Sequence, residues 1–131
     1  MGLLAAGLVA DEPKLLHAGL RVGASVLLTS VITQAVKYTL GRERPSDTDD
    51  PWAFDPFGGA HSMWSGHTSS AFAFATALSQ EINRPWATVG LYTLATGTAW
   101  SRVYGNHHWA SDVLVGAAAG IAGAKLATGR W

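Results

Sequence analysis

The sequence contains no cysteine among its 131 residues. Disulfide frameworks, thiolate zinc sites, iron–sulfur clusters and cysteine nucleophiles are therefore excluded. Charged residues make up only 14% of the chain, whereas an ordinary soluble domain has roughly 25%. Nine Lys and Arg balance nine Asp and Glu, and a chain without a cationic excess does not favour nucleic acid as a partner. The 48% share of apolar residues argues against disorder.

What the chain has instead is glycine and tryptophan, with 15 Gly and six Trp. Small residues on apolar helices, with Trp at the helix ends, are typical of membrane bundles. The length predicts a single domain over residues 1–131. Residues 1–10 are apolar but lack Lys and Arg, so they resemble neither a secretory signal nor a complete span. They are consistent with the tail of a longer apolar segment and with a domain truncated at its N-terminus.

Four weakly charged segments predict helices. They cover Lys14–Leu40, Ser65–Glu81, Trp86–Arg102 and His108–Thr128. Residues 42–63 are rich in proline, glycine and aspartate and predict a loop, and no sustained alternation of polar and apolar residues indicates a strand. The predicted fold class is all-α, an antiparallel bundle of about four main helices.

Up-and-down packing brings the end of the first and third helices together with the start of the second and fourth. The polar residues at these junctions are Lys37, Arg42 and Arg44, then Ser65, Gly66 and His67, then Arg102, and finally His108 and Asp112. Separate parts of the sequence are therefore expected to form one site at one end of the bundle.

Three of these residues, Lys37, Arg44 and Arg102, are cations in a chain of zero net charge. Cations repel one another unless an anion lies among them, and Arg and Lys both suit phosphate. Taken singly, each would be interpreted as a salt bridge with the acidic loop. Taken together at one end, they favour an anion site.

Ser65 and Gly66 open the second predicted helix. Backbone N–H groups are unpaired at a helix start, where the helix dipole favours negative charge. Gly66 would allow an oxyanion to approach the backbone closely. Ser65 is also a good N-cap residue, and the two roles are compatible.

His108 and Asp112 lie four residues apart and would share a helix face. A carboxylate on one imidazole nitrogen leaves the other nitrogen as a nucleophile. His107 is a poorer candidate because Ser111 is its fourth residue along. A lone His–Asp pair is more often structural than catalytic, but His67 lies at the same end and could act as general acid. A nucleophile, a general acid and a cationic anion site at one end of the bundle together favour phosphoryl transfer through a phosphohistidine.

Three segments resemble the signature of the type 2 phosphatidic acid phosphatase (PAP2) superfamily. Lys37–Pro45 reads KYTLGRERP, Trp64–His67 reads WSGH and Ser101–Asp112 reads SRVYGNHHWASD. The family patterns are KxxxxxxRP, PSGH and SRxxxxxHxxxD. Trp64 stands where the family has Pro, and this residue is expected to shape the turn before the helix without touching phosphate.

The resemblance implies a catalytic set and a phosphate-binding set. The catalytic residues would be His108 as nucleophile, Asp112 as its orienting group and His67 as acid and base. The phosphate-binding residues would be Lys37, Arg44, Ser65, Gly66 and Arg102. The resemblance further implies the core of a larger PAP2-type bundle, and an enzyme that hydrolyses a phosphate monoester or pyrophosphate. The substrate is expected to be a membrane lipid phosphate or a small phosphate ester, with no metal and no cofactor.

Two alternatives belong to the same superfamily: a soluble periplasmic non-specific acid phosphatase and a vanadium-dependent haloperoxidase. A third alternative is a zinc site, since imidazole and carboxylate groups suit zinc. Its ligands would come from His61, His67, His107, His108 and Asp112. The signature already accounts for three of these five residues, so the phosphatase interpretation ranks above the metal site.

The tryptophans favour a membrane location. Four are predicted at the site end, Trp52, Trp64, Trp100 and Trp109, and two at the opposite end, Trp86 and Trp131. This arrangement resembles the two aromatic belts of a membrane protein. Five Lys and Arg at the opposite end against four at the site end favour a site that faces the periplasm or exterior.

Overall fold

The computed structural model describes residues 13–59, 63–105 and 108–130. These residues form four helices, α1 (Pro13–Leu40), α2 (Gly66–Ile82), α3 (Pro85–Tyr104) and α4 (Ala110–Thr128). In these three ranges the strand-type pairing is limited to an isolated antiparallel bridge between Arg42 and Phe54. The prediction of an all-α fold is confirmed.

The helix ends follow local capping chemistry. The Ser65 hydroxyl accepts a hydrogen bond from the Thr68 N–H at 3.2 Å and caps the start of α2. Asn83 adopts the left-handed conformation at the end of α2, and its N–H donates to the Ser79 carbonyl. Pro85 then occupies the first turn of α3, where its missing N–H costs nothing.

Contacts at both ends of the helices establish an antiparallel arrangement. Arg21, early in α1, pairs with Glu81 at the end of α2, while Lys37 at the end of α1 lies beside Gly66 at the start of α2. The Ser65 N–H donates to the Asp112 carbonyl at 3.1 Å, so α2 and α4 begin at the same end. We call this end, where α1 and α3 finish and α2 and α4 begin, the site end, and the opposite one the far end.

Helix α2 packs against the other three helices, and small residues allow the closest approach. A Cβ atom added to Gly120 of α4 would lie 2.9 Å from the Ala73 backbone nitrogen in α2. Gly116 is similarly close to Ser65, with 3.0 Å from such a Cβ to the carbonyl oxygen. Glycine in α4 is therefore what lets α2 and α4 come together.

The interior of the bundle consists of small residues, with hydroxyl side chains beside a cluster of alanines and Val22, and much of its surface is apolar. The largest fully buried side chains are those of Thr29, Thr33, Thr68, Asp112, Ser25, Ser65 and Ser69. Large apolar side chains are instead exposed, with Leu27 at 67%, Leu94 at 72% and Leu114 at 71%. Helices α1 and α4 are each long and apolar enough to cross a membrane by length and composition.

Candidate active site

A polar cleft of about 330 Å³ opens between α1 and α2 at the site end. It is lined by Ser30, Thr33, Gln34, Lys37, Gly66, His67 and Ser70. Three of these, Lys37, Gly66 and His67, were predicted as site residues from two separate sequence motifs. The structure therefore brings the Lys37 cation, the Gly66 backbone and the His67 imidazole to one cavity.

Lys37 is buried, with 7% of its surface exposed, although it is a charged residue near a helix end. Its Nζ would lie 3.6 Å from a Cβ atom added to Gly66, so the ammonium sits beside the first turn of α2. Arg44 and Asp112 are both close enough to Lys37 to interact with it electrostatically. The ammonium and the N-terminus of α2 thus both present positive charge to the cleft.

Ser65 is fully buried, and its hydroxyl is the N-cap of α2. The structural role that the sequence allowed for Ser65 is therefore observed. Ser65 is not among the residues that line the cleft, whereas the next residue, Gly66, is.

His108 and Asp112 form a buried pair, with 3.5 Å between Nδ1 and Oδ2. The way they meet differs from the prediction. Helix α4 begins at Ala110, not at His108, so the two side chains do not share a helix face. Asp112 lies in the first turn of α4, and its Oδ2 accepts the backbone N–H of the N-cap residue Trp109 at 2.9 Å. This capping interaction holds the carboxylate over the residue before the cap, which is His108.

Arg42 was placed at the site end by the sequence but was given no role, and its side chain contacts Asp112 of this pair directly. Its Nη1 donates to Asp112 Oδ1 at 2.9 Å and to the Ser111 hydroxyl at 2.6 Å. Its Nε donates to the Pro51 carbonyl at 3.0 Å. Arg42 is buried, with 6% exposure. The only sequence signal was its position within the GRERP segment.

Arg102, in the last turn of α3, is adjacent to the same pair. Its carbonyl accepts the His108 N–H at 3.3 Å. Its Nε is buried without a hydrogen-bond partner, which is unusual for a guanidinium nitrogen and suits an anion that would complete its bonding. Arg44 is half-buried at the start of the loop, where its carbonyl accepts the Asp47 N–H at 2.9 Å.

Trp64, which replaces the family's Pro, separates two cavities. Its indole Nε1 donates to the Thr33 hydroxyl at 2.7 Å, and Thr33 lines the polar cleft. The indole also lines an apolar groove of about 240 Å³ between α1 and α4. The other residues of the groove are Thr29, Ile32, Ala119, Ala122, Gly123 and Leu126. Trp64 therefore does more than shape a turn, because its ring lines the apolar groove and its Nε1 bonds to a residue of the polar cleft.

Within the part of the chain that the structure describes, no group of three or more His, Asp and Glu side chains is arranged to hold a metal ion. Two of the histidines considered for zinc, His61 and His107, lie outside the described residues. The comparison between His107 and His108 as nucleophile therefore remains a prediction.

The chain is similar to known proteins in sequence and in fold. The model of the PAP2 superfamily matches residues 18–130, a range that includes all three signature segments. Over 102 residues the chain is 44% identical to a lipid A 1-phosphatase of Porphyromonas gingivalis. That alignment covers 76% of this chain and 20% of the relative, so the chain spans about a fifth of the length of that protein.

A solved structure shares the architecture. The crystal structure of Aquifex aeolicus LpxE matches with a TM-score of 0.75 at 24% identity. The match covers 98% of this chain and 74% of that one. The likeness extends over the whole bundle and establishes a common fold.

Proposed function

Because the chain belongs to the PAP2 superfamily, we propose that it carries the active site of a membrane-associated phosphatase acting on a phosphorylated lipid through a phosphohistidine. The observation that carries this proposal is the buried His108–Asp112 pair at the same end of the bundle as the cleft lined by Lys37 and His67. The similarity to the lipid A 1-phosphatase of Porphyromonas gingivalis supports it.

The nucleophile in this proposal is His108. Its Nδ1 faces Asp112 Oδ2, so Nε2 is the nitrogen that attacks phosphorus. Asp112 stabilises the positive charge that the imidazole gains as the new bond forms. Both residues are buried, so this charge interaction is screened little by water.

Phosphate binding is assigned to the cations and backbone at the site end. Lys37 and the Gly66 backbone border the cleft, and the unpartnered Arg102 Nε supplies a donor. Arg44 adds charge near Lys37, and Ser65 holds the helix start in place. Together these groups supply the charge stabilisation that phosphoryl transfer requires, which is the basis for proposing a metal-independent reaction.

The reaction has two balanced steps. In the first, His108 bonds to phosphorus as the bond from phosphorus to the leaving oxygen breaks, and His67 gives its proton to that oxygen. In the second, His67 takes a proton from water, and the water oxygen bonds to phosphorus as the nitrogen–phosphorus bond breaks. Inorganic phosphate leaves, and both histidines return to their starting protonation states.

A lipid substrate fits the two surfaces on either side of Trp64. The polar cleft beside His67 would take the headgroup that carries the phosphate. The apolar groove lies between α1 and α4, the two helices apolar enough to cross a membrane. A phosphate held at the site end would therefore lie close to the apolar part of the same lipid.

The first test is phosphate release by the detergent-purified protein from a lipid phosphate and from p-nitrophenyl phosphate. We expect activity to persist in EDTA, vanadate to inhibit as a transition-state mimic, and an acid-labile, alkali-stable phosphoprotein to form. His108→Ala should abolish both turnover and the phosphoprotein, whereas His17→Ala, on the exposed start of α1, should change neither. Complete loss of activity in EDTA with rescue by zinc would contradict the proposal and support a metal site.

The second test isolates the role of His67. A general acid matters most when the leaving group is poor, and an alkyl alcohol leaves far less easily than p-nitrophenolate. His67→Ala should therefore slow phosphohistidine formation much more with the lipid substrate than with the nitrophenyl ester. A trapping experiment that measures the first step alone is needed, because loss of the base in the second step slows both. Equal slowing would mean that His67 binds phosphate and does not donate the proton.

We also propose that the site end faces the periplasm or exterior, since the far end carries five Lys and Arg against four. The absence of cysteine from the chain makes single-cysteine labelling direct. A membrane-impermeant maleimide should label Ser46→Cys, in the exposed site-end loop, in intact cells. It should label Trp86→Cys, at the exposed start of α3, only after permeabilisation. The reverse pattern would invert the proposed orientation.

A further inference from the structure

The geometry points to Arg42 as a positioning residue for the His108–Asp112 pair, one that fixes the orienting carboxylate and does not bind phosphate. The two arginines of the GRERP segment then act differently, Arg44 on the phosphate and Arg42 on the nucleophile through Asp112. This inference rests on the proposed function, because it concerns the rate of that same reaction.

Arg42 compensates a charge that would otherwise be buried alone. The Asp112 side chain is 0% exposed and that of Arg42 is 7% exposed. A buried carboxylate without a partner is strongly disfavoured in its ionised form. The 2.9 Å bond from Arg42 Nη1 keeps the carboxylate charged, which it must be to stabilise a positive imidazole.

The two oxygens of the carboxylate are divided between different tasks. Oδ1 accepts from Arg42, while Oδ2 accepts from the Trp109 N–H and faces His108 Nδ1. With Oδ1 held, rotation of the carboxylate away from His108 would break two charge-assisted bonds. The Arg42 guanidinium donates to Asp112, to the Ser111 hydroxyl and to the Pro51 carbonyl, so its link to the reacting His108 passes through Asp112.

The guanidinium is itself in contact with the loop before α2 and with the N-cap residue of α4. It lies 5.4 Å from the centre of the Phe54 ring and 5.6 Å from that of Trp109. The Trp109 indole in turn donates to the Glu43 carbonyl at 2.7 Å, and the Glu43 N–H donates to the Ala53 carbonyl at 2.9 Å. The Phe54 and Trp109 rings thus lie against the Arg42 guanidinium, and the hydrogen bonds of Glu43 connect Trp109 to the loop.

Steady-state kinetics separates the two arginines. Arg42→Gln should lower kcat on the order of 100-fold, the scale of a misplaced catalytic group, and leave KM nearly unchanged. Arg44→Gln should chiefly raise KM. Arg42→Lys keeps the charge but not the forked geometry and should recover only part of the rate, and guanidinium ions should partly restore Arg42→Ala. Arg21→Gln at the far end is the matched control and should retain the wild-type kcat.

A double-mutant comparison tests whether Arg42 acts through Asp112. In an Asp112→Asn background, Arg42→Gln should cause little additional loss of kcat, because there is no carboxylate left to position. If Arg42→Gln lowers kcat by the same factor in both backgrounds, or raises KM as Arg44→Gln does, the inference is wrong.

A spectroscopic readout keeps this inference distinguishable from the proposed function. With 15N-labelled histidine, the Nδ1–H proton of His108 should resonate downfield, and both Asp112→Asn and Arg42→Gln should shift that signal upfield. A signal that moves in Asp112→Asn but not in Arg42→Gln would overturn the inference. Failure of the wild-type protein to release phosphate would overturn the proposed function and leave the spectroscopic result to decide the role of Arg42.

Discussion

Each end of the bundle has an arginine bonded to a carboxylate, and the two pairs differ in burial. At the site end, Arg42 and Asp112 are both buried and surrounded by aromatic rings and loop backbone. At the far end, Glu81 pairs with Arg21 and with Arg130 at 3.2 Å, and both arginines are more than one-third exposed. The same type of ion pair therefore has two roles. The partly exposed far-end pair of Arg21 and Glu81 connects α1 to α2, and the buried site-end pair of Arg42 and Asp112 orients the carboxylate beside His108.

Burial determines what each pair contributes. An exposed pair gains little, because water and salt screen it, whereas removal of one partner from a buried pair strands a charge. Variants of the site-end pair should therefore affect the reaction strongly, and variants of the far-end pair should affect stability weakly. The predictions below test this contrast, from the largest expected effect to the smallest.

Asp112→Asn should have the largest effect. We expect phosphohistidine formation to fall on the order of 1000-fold or more, the scale seen when an orienting carboxylate is replaced in hydrolytic triads. The amide cannot stabilise a charged imidazole, and it leaves Arg42 without its anion. Rapid-quench trapping of the phosphoprotein measures the effect. Retention of more than a tenth of the wild-type rate would argue against an orienting role for Asp112.

Gly120→Ala should destabilise the middle of the bundle, between the two pairs. The added methyl group would lie 2.9 Å from the Ala73 nitrogen and 2.9 Å from Phe72 Cβ, so α2 and α4 must separate, at a cost of about 1–3 kcal/mol. Thermal unfolding in detergent measures it. Gly97→Ala is the matched control, since nothing lies within 4 Å of its Cβ position, and it should not destabilise. Equal melting temperatures for the two variants would contradict the close crossing.

Glu81→Gln should have the smallest effect. It removes the far-end ion pairs, which are worth about 1 kcal/mol or less at a partly exposed site. Phosphatase activity should stay at the wild-type level, because Glu81 lies at the opposite end of α2 from the cleft. The melting temperature and kcat, measured on the same preparation, check both statements. A loss of activity comparable to that of Arg42→Gln would mean that the far-end pair affects the reaction as strongly as the site-end pair does.

The far-end pair also predicts a pH dependence. The hydrogen bond from Arg21 holds the pKa of Glu81 below the ordinary value of 4.5. Because the folded-state pKa is lowered, the contribution of Glu81 to stability is present above about pH 4.5 and is lost as pH falls toward the lowered value. Melting temperatures measured from pH 7 to pH 3 should therefore converge for wild type and Glu81→Gln at the acid end. A difference that persists unchanged at pH 3 would contradict the lowered pKa.

The sequence predicted the helices well, because their signals are local. Apolar runs and turn residues gave α1, α2 and α3 to within two residues at each end. The family resemblance and the all-α fold are confirmed. The start of α4 was placed two residues too early, since a His–Asp spacing of four was interpreted as a helix face. The structure obtains the same proximity through a cap at Trp109.

Arg42 could not be assigned from the sequence for a physical reason. An arginine after a glycine at the start of a proline-rich loop ordinarily points to solvent. Its guanidinium lies against the rings of Phe54 and Trp109. These residues follow it later in the chain and come into contact with it only in the folded structure. Trp64 presents the same difficulty, since it precedes α2 in the chain and its partner Thr33 lies on α1. Local patterns show which side chains are capable of chemistry, and tertiary contacts decide which of them hold the others in place.

The polar interior and apolar exterior have a consequence for how this protein responds to heat and denaturant. The heat capacity change of unfolding and the slope of stability against denaturant both scale with newly exposed apolar surface. Leucines such as Leu27, Leu94 and Leu114 are already outside the bundle in the folded state, whereas the fully buried side chains are small, chiefly hydroxyl residues and alanines. Calorimetry should therefore give a heat capacity increment per residue below that of a water-soluble domain of equal length, and urea should be a weak denaturant.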